Sequence, residues 1–563
     1  MTGEFPPGLI LILGAFIVPL LPHSMRGVLM LVLPAVTLVY LLGLPHGQLG
    51  QVQIFDLTLT TTRVDRLSLL FGYVFLLATF IAAIFALHLK DKVQHVAGLI
   101  YAGGAICAVF AGDLVTFFIW WEVIAVASVF LIWARRTERA WRAGMRYLLV
   151  QMIAGVLLLA GVILHYRATG SIAFDLLGLG TTAKTLIFLA FGIKAAFPLL
   201  HSWLEDTYPE ATVTGTVLLS SFTTKVAIYA LARSFPGTEI LIPIGATMTA
   251  FPIFYAVIEN DLRRVLAYSL NNQLGFMVVG VGLGTQLALN GAVAHAFADI
   301  VFKGLLFMSM GAVLFRVGTV KGSELGGLYK SMPLTTGFCM VGAASISAFP
   351  LFSGFVTKSM IMASAMEQGY FWVWLVLLFA SAGVFHHAGI KIPYFAFFAH
   401  DSGKRCKEAP LNMLVAMGIA AALCIGIGSF PSIFYQLLPY SADYHPYQVD
   451  HVVTQLQLLF FSALAFTILM RTGIYPPELR SVNLDVDWFY RRLGYRTLMG
   501  LDAMASWAWT QITGLARSAA RSFNARLHNH HGPEGIFGRS WPTGTMAFWT
   551  TVMLGAYLIL SYL

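Results

Sequence analysis

The sequence predicts an all-α polytopic membrane protein. Three observations carry that prediction. Of 563 residues, 58% are hydrophobic and only 11% are charged, where a soluble domain carries about 25%, and the mean hydropathy is +0.77. Apolar runs long enough to span a bilayer follow one another along almost the whole chain. The loops between those runs alternate in Lys and Arg content.

A hydrocarbon core of about 30 Å needs roughly 17–25 apolar residues in a helix. The first such runs cover about 9–21 and 27–44. Next comes a polar, alternating stretch, Gln51 to Thr62 (QVQIFDLTLTTT), which reads as a β-hairpin or strand outside the membrane. Further spans are expected near 66–88, 95–112, 114–133, 145–166, 183–204, 212–233, 238–258, 264–284, 288–316, 335–364, 371–398, 411–435, 452–471 and 544–562. About 14–16 transmembrane helices follow from this count. Between the last two, Asp485 to Arg526 mixes Trp, Phe and Leu with Arg at helical spacing, the pattern of an amphipathic helix on a membrane face or a partner. The plainer reading of that stretch is a helix covering the protein's own loops.

Orientation follows from the positive-inside rule. Arg26, Lys90, Lys92, Arg135, Arg136, Arg139, Arg142, Arg263, Arg264, Arg316, Lys321, Lys330, Lys404, Arg405 and Lys407 fall in loops after odd-numbered spans. Arg63, Arg66, Arg167, Lys184 and Arg233 are the exceptions. The N-terminus is therefore expected outside, in the inner membrane of a bacterial cell. The net charge of +9 belongs to this topology and implies no nucleic-acid partner. Cys107, Cys339, Cys406 and Cys424 lie far apart with no CxxC pair, so no disulfide framework, iron–sulfur cluster or zinc site is indicated. The segment from Met1 to Pro7 lacks a basic n-region, so the first run reads as a retained span.

The informative residues are ionisable groups inside apolar runs, because a charge at that depth costs about 2.5–3.5 kcal/mol on insertion scales. Lys194 stands mid-run with Pro198 four residues on, where a missing backbone donor should break the helix. Glu122, Lys225 and Lys358 sit in similarly apolar surroundings, Lys358 beside Pro350 and Gly354. His295, Asp299 and Lys303 are spaced i, i+4, i+8 and share one helix face. His386, His387 and Lys391 lie in a further run. Each alone has a bland explanation: a lysine near a helix end snorkels to the interface, and a single histidine serves helix packing. The series across successive spans is harder to explain that way. A row of such groups, linked by water, is a proton relay.

At these residues the chain resembles a known family. GIKAAFPLLHSWLEDTYPEATVTGTVLLSSFTTKVAIYALAR, DLRRVLAYSLNNQLGFMVVG and SAFPLFSGFVTKSMI are similar to blocks of the antiporter-like subunits, shared by multi-subunit Mrp-type cation/proton antiporters and the membrane arm of respiratory complex I. The likeness covers roughly 60–400 and looks closest to the D-type component of Mrp antiporters. It implies two inverted five-helix repeats, each with a broken helix, at 95–234 and 238–400. Around them are N-terminal helices with the hairpin (1–94), additional helices (401–471), the amphipathic or lateral segment (472–543) and a last span (544–563). The resemblance assigns Glu122 as the glutamate partnering Lys194, Lys225 as the connecting lysine, His295 and Lys303 as the central pair, and Lys358 as the exit-side group. His201 and Lys391 are weaker candidates.

Some residues depart from the family. Asp299 stands where several relatives have a second histidine or another residue, and its hard carboxylate oxygens could draw a metal cation, whose identity is left open. Glu205, Thr212 and Gly215 replace residues of the usual loop. The tail adds a span, the amphipathic segment and a last span, an order that resembles the distal subunit of complex I.

The expected function is proton translocation through Glu122, Lys194, Lys225, His295, Asp299, Lys303 and Lys358 in a multi-subunit Na⁺ or other monovalent cation/H⁺ antiporter. The expected partners are other membrane subunits, the lipid bilayer, protons and that cation. Two alternatives are a pumping subunit of a complex I-like or hydrogenase redox complex and an energising subunit of an inorganic-carbon-uptake complex. No redox or hydrolytic active site and no cofactor are expected in this chain.

Overall fold

The computed structural model describes residues 5–441, 443–476, 478–479 and 483–563. Parts of three expected segments (residues 1–4 of 1–94, 442 of 401–471, and 477 and 480–482 of 472–543) lie outside the described residues. The chain divides into two units, Met1–Asn483 and Leu484–Leu563.

The first unit starts with α1 (Leu9–Ile17), α2 (His23–Leu42), the strands β1 (Gly47–Ile54) and β2 (Leu57–Val64), α3 (Arg66–Phe85), α4 (Lys92–Phe110), α5 (Leu114–Trp133) and α6 (Glu138–Thr169). It continues with α7 (Thr182–Lys194), α8 (Ser202–Thr207), α9 (Gly215–Ser221), α10 (Thr223–Ser234), α11 (Leu241–Ile258), α12 (Leu262–Leu283) and α13 (Gln286–Val317). Then come α14 (Pro333–Ile346), α15 (Ser353–Glu367), α16 (Phe371–Val384), α17 (Leu411–Ser429), α18 (Pro431–Tyr435) and α19 (Val449–Thr472). Two π-helical stretches, Phe385–Lys391 and Tyr394–Phe398, extend α16.

Helix starts follow the local chemistry. Asp65, Asp113, Thr137, Asp261 and Thr285 each accept a first-turn backbone N–H at the N-terminus of α3, α5, α6, α12 and α13. Asp113 has a second task. Its Oδ2 accepts from the Thr60 backbone N–H at 2.8 Å and so pins the hairpin to the start of α5. The hairpin is antiparallel, with Gln51 opposite Thr60 and Phe55 in the left-handed region at its tip (φ 52°).

Among the described residues, twelve helices are long and apolar enough to cross a membrane. The other four expected spans also have helical counterparts. One is the short run Leu9–Leu20, one is the polar helix α12, and two are broken, α7 with α8 and α14 with α15. The fold is that of a polytopic helical membrane protein, as the composition indicates. Close backbone approach holds the bundle where small residues face each other: a Cβ on Gly275 would collide with the Gly245 carbonyl across α11 and α12.

In the second unit, a π-helical turn (Phe489–Gly494) leads into α20 (Tyr495–His531), and α21 (Thr543–Tyr562) follows. The helix expected over 485–526 thus forms, and it runs five residues further.

Candidate functional site

The first broken helix ends at Lys194, and the chain resumes helical form at Ser202. Between them, Ala196 (φ 61°) and Leu199 (φ 71°) are left-handed around Phe197–Pro198. A break in a membrane strands backbone carbonyls, and here the Trp203 indole donates to the Ile193 carbonyl at 2.9 Å. Lys194 is 1% exposed, and its ammonium donates to the Trp121 carbonyl at 2.7 Å and lies 3.9 Å from the centroid of the Trp121 ring. It is within electrostatic range of Glu122, but its hydrogen bond goes to the residue before Glu122. The Glu122 carboxylate lies over Gly155 of α6, where a Cβ would occupy its place. It also borders a lateral cleft of about 610 Å³ shared with Lys92, Val96 and Phe130.

Lys225 and Asp299 are both fully buried, and Nζ meets Oδ2 at 2.6 Å. A second bond runs from the ammonium to the Ser220 carbonyl at 2.8 Å. Asp299 lies between His295 and Lys303 in sequence, yet its ion pair reaches across to α10. At Thr223, two residues before Lys225, hydroxyls from four helices meet: Thr223 Oγ1 is 2.6 Å from Tyr101 Oη and 3.4 Å from Tyr147 Oη, which is 2.8 Å from Ser128 Oγ.

His295 bridges two other helices. Its Nε2 is 3.0 Å from Gln273 Oε1 of α12, and its Nδ1 is 2.9 Å from Thr357 Oγ1 of α15. Lys303 donates to Ser269 Oγ at 2.9 Å. Lys358 follows Thr357 on α15 and reaches back over the second break to the Ile346 carbonyl at 2.8 Å, with its ammonium 4.9 Å from the Phe276 ring centroid. Ala348 (φ 56°) and Leu351 (φ 73°) are left-handed at this break.

The two weaker candidates lie apart from this series. His201 is buried against Phe251, with ring centroids 4.5 Å apart. Lys391 donates to the carbonyls of Ala256, Val257 and Glu259 at the end of α11 and pairs with Glu478 at 2.9 Å. Arg263, counted above among loop cations, is buried and clamps the carbonyls of Pro209, Ala211 and Thr212. Among the described residues, no three His, Cys, Asp or Glu side chains converge as a metal site. Among the described residues, a cation at Asp299 would therefore not find two further ligands of these types.

Several participants were not singled out from sequence: Gln273, Thr357, Ser269, Tyr101, Tyr147 and Glu478. The first five are common polar residues inside largely buried helices, and such positions were the available signal.

Residues 111–426, more than half of the chain, match the family model described as NADH:quinone oxidoreductase/Mrp antiporter, transmembrane. Hydrogenase-4 component B of Escherichia coli is 27% identical over 419 residues, which is 66% of this chain and 62% of that protein. The D-type component of the Na⁺/H⁺ antiporter of Alkalihalophilus pseudofirmus is 29% identical over 357 residues, 59% of this chain and 71% of that protein. The A-type component of the same organism's antiporter is 28% identical over 76% of this chain and 60% of its own length. The chain thus spans less than two thirds of two of these relatives. Among solved structures, the Mrp complex of a Dietzia species has a chain that superposes with a TM-score of 0.69 at 22% identity, over 80% of this chain and 98% of that one. A chain of respiratory complex I from Thermus thermophilus superposes with a TM-score of 0.65 at 22% identity, over 76% and 98%. These likenesses show a shared fold.

Proposed function

The chain belongs to the NADH:quinone oxidoreductase/Mrp antiporter transmembrane family, and from that premise we propose that it is the proton-translocating subunit of a multi-subunit monovalent cation/H⁺ antiporter in a bacterial inner membrane, with its N-terminus outside. One observation carries the proposal: the Lys225–Asp299 ion pair, fully buried, joins α10 of the expected first repeat to α13 of the expected second.

The mechanism follows from charge balance. While Lys225 is protonated, Asp299 is neutralised. If the proton leaves Lys225, Asp299 becomes an isolated buried anion, and isolated buried charge costs several kcal/mol. That cost falls if another group facing Asp299 gains a proton, and Lys303 and Lys358 both lie within its electrostatic range. Each proton shift in one repeat thereby favours the complementary shift in the other. Lys194 and Glu122 stand at one end of the series, with Lys358 at the other. His295 is hydrogen-bonded to Thr357 beside Lys358 and supplies a neutral carrier between them. Na⁺ or another monovalent cation would move in, or beside, a neighbouring subunit.

The test is a vesicle pH-gradient assay on the assembled complex carrying Lys225→Met with Asp299→Leu. Removing both charges avoids leaving either one buried alone. Cation-dependent proton movement should disappear while the complex still assembles. Normal movement in that variant would refute the relay. A second reading, a pumping subunit of a redox-driven complex, is favoured by the hydrogenase-4 likeness, which covers more of this chain than the D-type antiporter likeness does. Co-purification with flavin and iron–sulfur subunits would select it over the antiporter.

A further inference from the structure

One face of α6 touches both ends of the stretch between Glu122 on α5 and Lys225 on α10. Tyr147, Gln151 and Gly155 follow one another at i, i+4 and i+8, so they share that face, and all three are buried. At Gly155 the Glu122 carboxylate fills the space a Cβ would take. At Tyr147 the hydroxyl is 3.4 Å from Thr223 Oγ1 and 2.8 Å from Ser128 Oγ. Gln151 stands midway between these two contacts.

The α10 end of this face meets a helix interruption. α9 ends at Ser221 and α10 begins at Thr223, with Phe222 at φ −109° and ψ −65° between them. The Thr223 backbone N–H donates to Tyr101 Oη at 3.0 Å, and the same Oη is 2.6 Å from Thr223 Oγ1. The Ser220 carbonyl accepts the Lys225 ammonium at 2.8 Å. One turn of backbone thus presents Thr223 to the tyrosines and Lys225 to Asp299.

Gln151 is fully buried, and neither atom of its amide has a hydrogen-bond partner among the described residues. Glu122 Oε1, against the next turn of the same face, is likewise sealed and unpartnered among them. Buried polar groups are as a rule satisfied, and packing alone would favour an apolar residue at 151. The intervals from Gly155 to Gln151 and from Gln151 to Tyr147 are each about 6 Å of helix rise. That is the span of two hydrogen bonds of roughly 2.8 Å in series. A water in the first interval has Glu122 Oε1 and the Gln151 amide as partners, and one in the second has the amide and Tyr147 Oη.

We propose that Gln151 is a positioning residue that holds a line of water between Glu122 and Tyr147, joining Glu122 to the Tyr147–Thr223 hydroxyls beside Lys225. The proposal rests on the relay reading above. In one direction, the Glu122 carboxyl O–H breaks as the first water gains the proton. The waters and the Tyr147 and Thr223 hydroxyls each take one proton and release one, and Nζ of an unprotonated Lys225 gains the last. Only Glu122 and Lys225 change charge. The Gln151 amide neither gains nor loses a proton, since its N–H and C=O only keep the waters in line.

The experiment uses the assembled complex in inside-out vesicles and follows pH-gradient formation in H₂O and in D₂O. Four variants are compared: Gln151→Met, Gln151→Asn, Tyr147→Phe, and Lys225→Met with Asp299→Leu. Gln151→Met should assemble at wild-type abundance and lose roughly tenfold or more in rate. Its solvent isotope effect should exceed that of the wild type, because the interrupted proton step then limits transport. Gln151→Asn keeps a shorter amide and should recover both in part. Tyr147→Phe removes one hydroxyl from the same line and should show the same two changes, so it carries the test if Gln151→Met assembles poorly. A wild-type rate and isotope effect in the variant that assembles, with transport abolished in Lys225→Met/Asp299→Leu, would overturn the water line and leave the relay standing. Transport unaffected in all four would overturn the relay itself. If Gln151→Met is slow with an unchanged isotope effect and no recovery in Gln151→Asn, Gln151 only packs α6, and the proposal is overturned.

Discussion

The two broken helices use the same four residues and close in different ways. Ala196–Phe197–Pro198–Leu199 and Ala348–Phe349–Pro350–Leu351 both read AFPL, and in both the alanine and the leucine are left-handed. At the first break the Ile193 carbonyl accepts both the Ala196 N–H at 3.2 Å and the Trp203 indole, while Lys194 turns away to the Trp121 carbonyl on α5. At the second, the freed Ile346 carbonyl is met by Lys358 itself. The difference matters for a proton-handling group. In the first break, the backbone closure and the titratable cation are separate residues. In the second they are one, so any change at Lys358 is also felt by the end of α14.

That contrast can be broken experimentally, and the largest effect is expected at Lys358. Lys358→Ala should abolish proton movement and also raise hydrogen exchange across 345–355, because an unmet buried carbonyl costs about 1–3 kcal/mol. Lys194→Ala should abolish movement as well but leave exchange across 193–203 near wild type. Equal exchange increases in both variants would erase the distinction. Next is Gly354→Ala, whose added Cβ would strike the Ser345 carbonyl, a backbone atom that cannot swing aside. Its detergent-solubilised thermal midpoint should fall clearly. Gly155→Ala should fall less, since its Cβ meets the movable Glu122 side chain, and its effect should show as slower transport.

Trp203→Phe tests the first closure alone. It keeps an aromatic ring but drops one of two donors to Ile193, the Ala196 N–H remaining, so about 0.5–1.5 kcal/mol of stability should go while the pH profile of transport stays in place. The smallest effect belongs to a control outside both breaks. Hydrogen bonds from Arg405 and Lys330 hold the Asp401 carboxyl well below the usual carboxylate range. A carboxyl lowered in this way adds stability that is present above its unfolded pKa and lost only as pH falls through the folded value. Midpoints between pH 5 and 8 should therefore not change on its account, and Asp401→Asn, partly exposed, should shift them little.

Much of this was legible in the sequence, for physical reasons. Lipid demands long apolar runs, so the spans are written in composition, and a charge inside such a run stands out. Pro198 marked the first break, the resemblance of SAFPLFSGFVTKSMI implied the second, and alternation marked the hairpin. What stayed hidden depended on distance through the fold. Asp299 follows His295 by one helical turn, and nothing local says that its partner is Lys225. The hydrogen bond of Lys194 runs to a backbone carbonyl, which every residue owns. Glu478 lies in a polar strap with no periodicity to tie it to Lys391, and the π-helical widening at Phe385–Lys391 leaves no pattern in residue spacing. Arg263 read as a loop cation because it begins a helix, and only packing shows it buried.

The Lys225–Asp299 pair also constrains how the chain is made. As α10 leaves the ribosome it carries a lysine whose acid has not yet been synthesised, and α13 later brings an aspartate that is equally unwelcome in lipid. Each alone bears the insertion cost of a mid-membrane charge, about 2.5–3.5 kcal/mol, and together they form a neutral unit. Biogenesis therefore favours keeping α10 in a sheltered, protein-lined site until α13 arrives. A ribosome-stalled chain ending after α12 should leave α10 more accessible to aqueous reagents than one ending after α13.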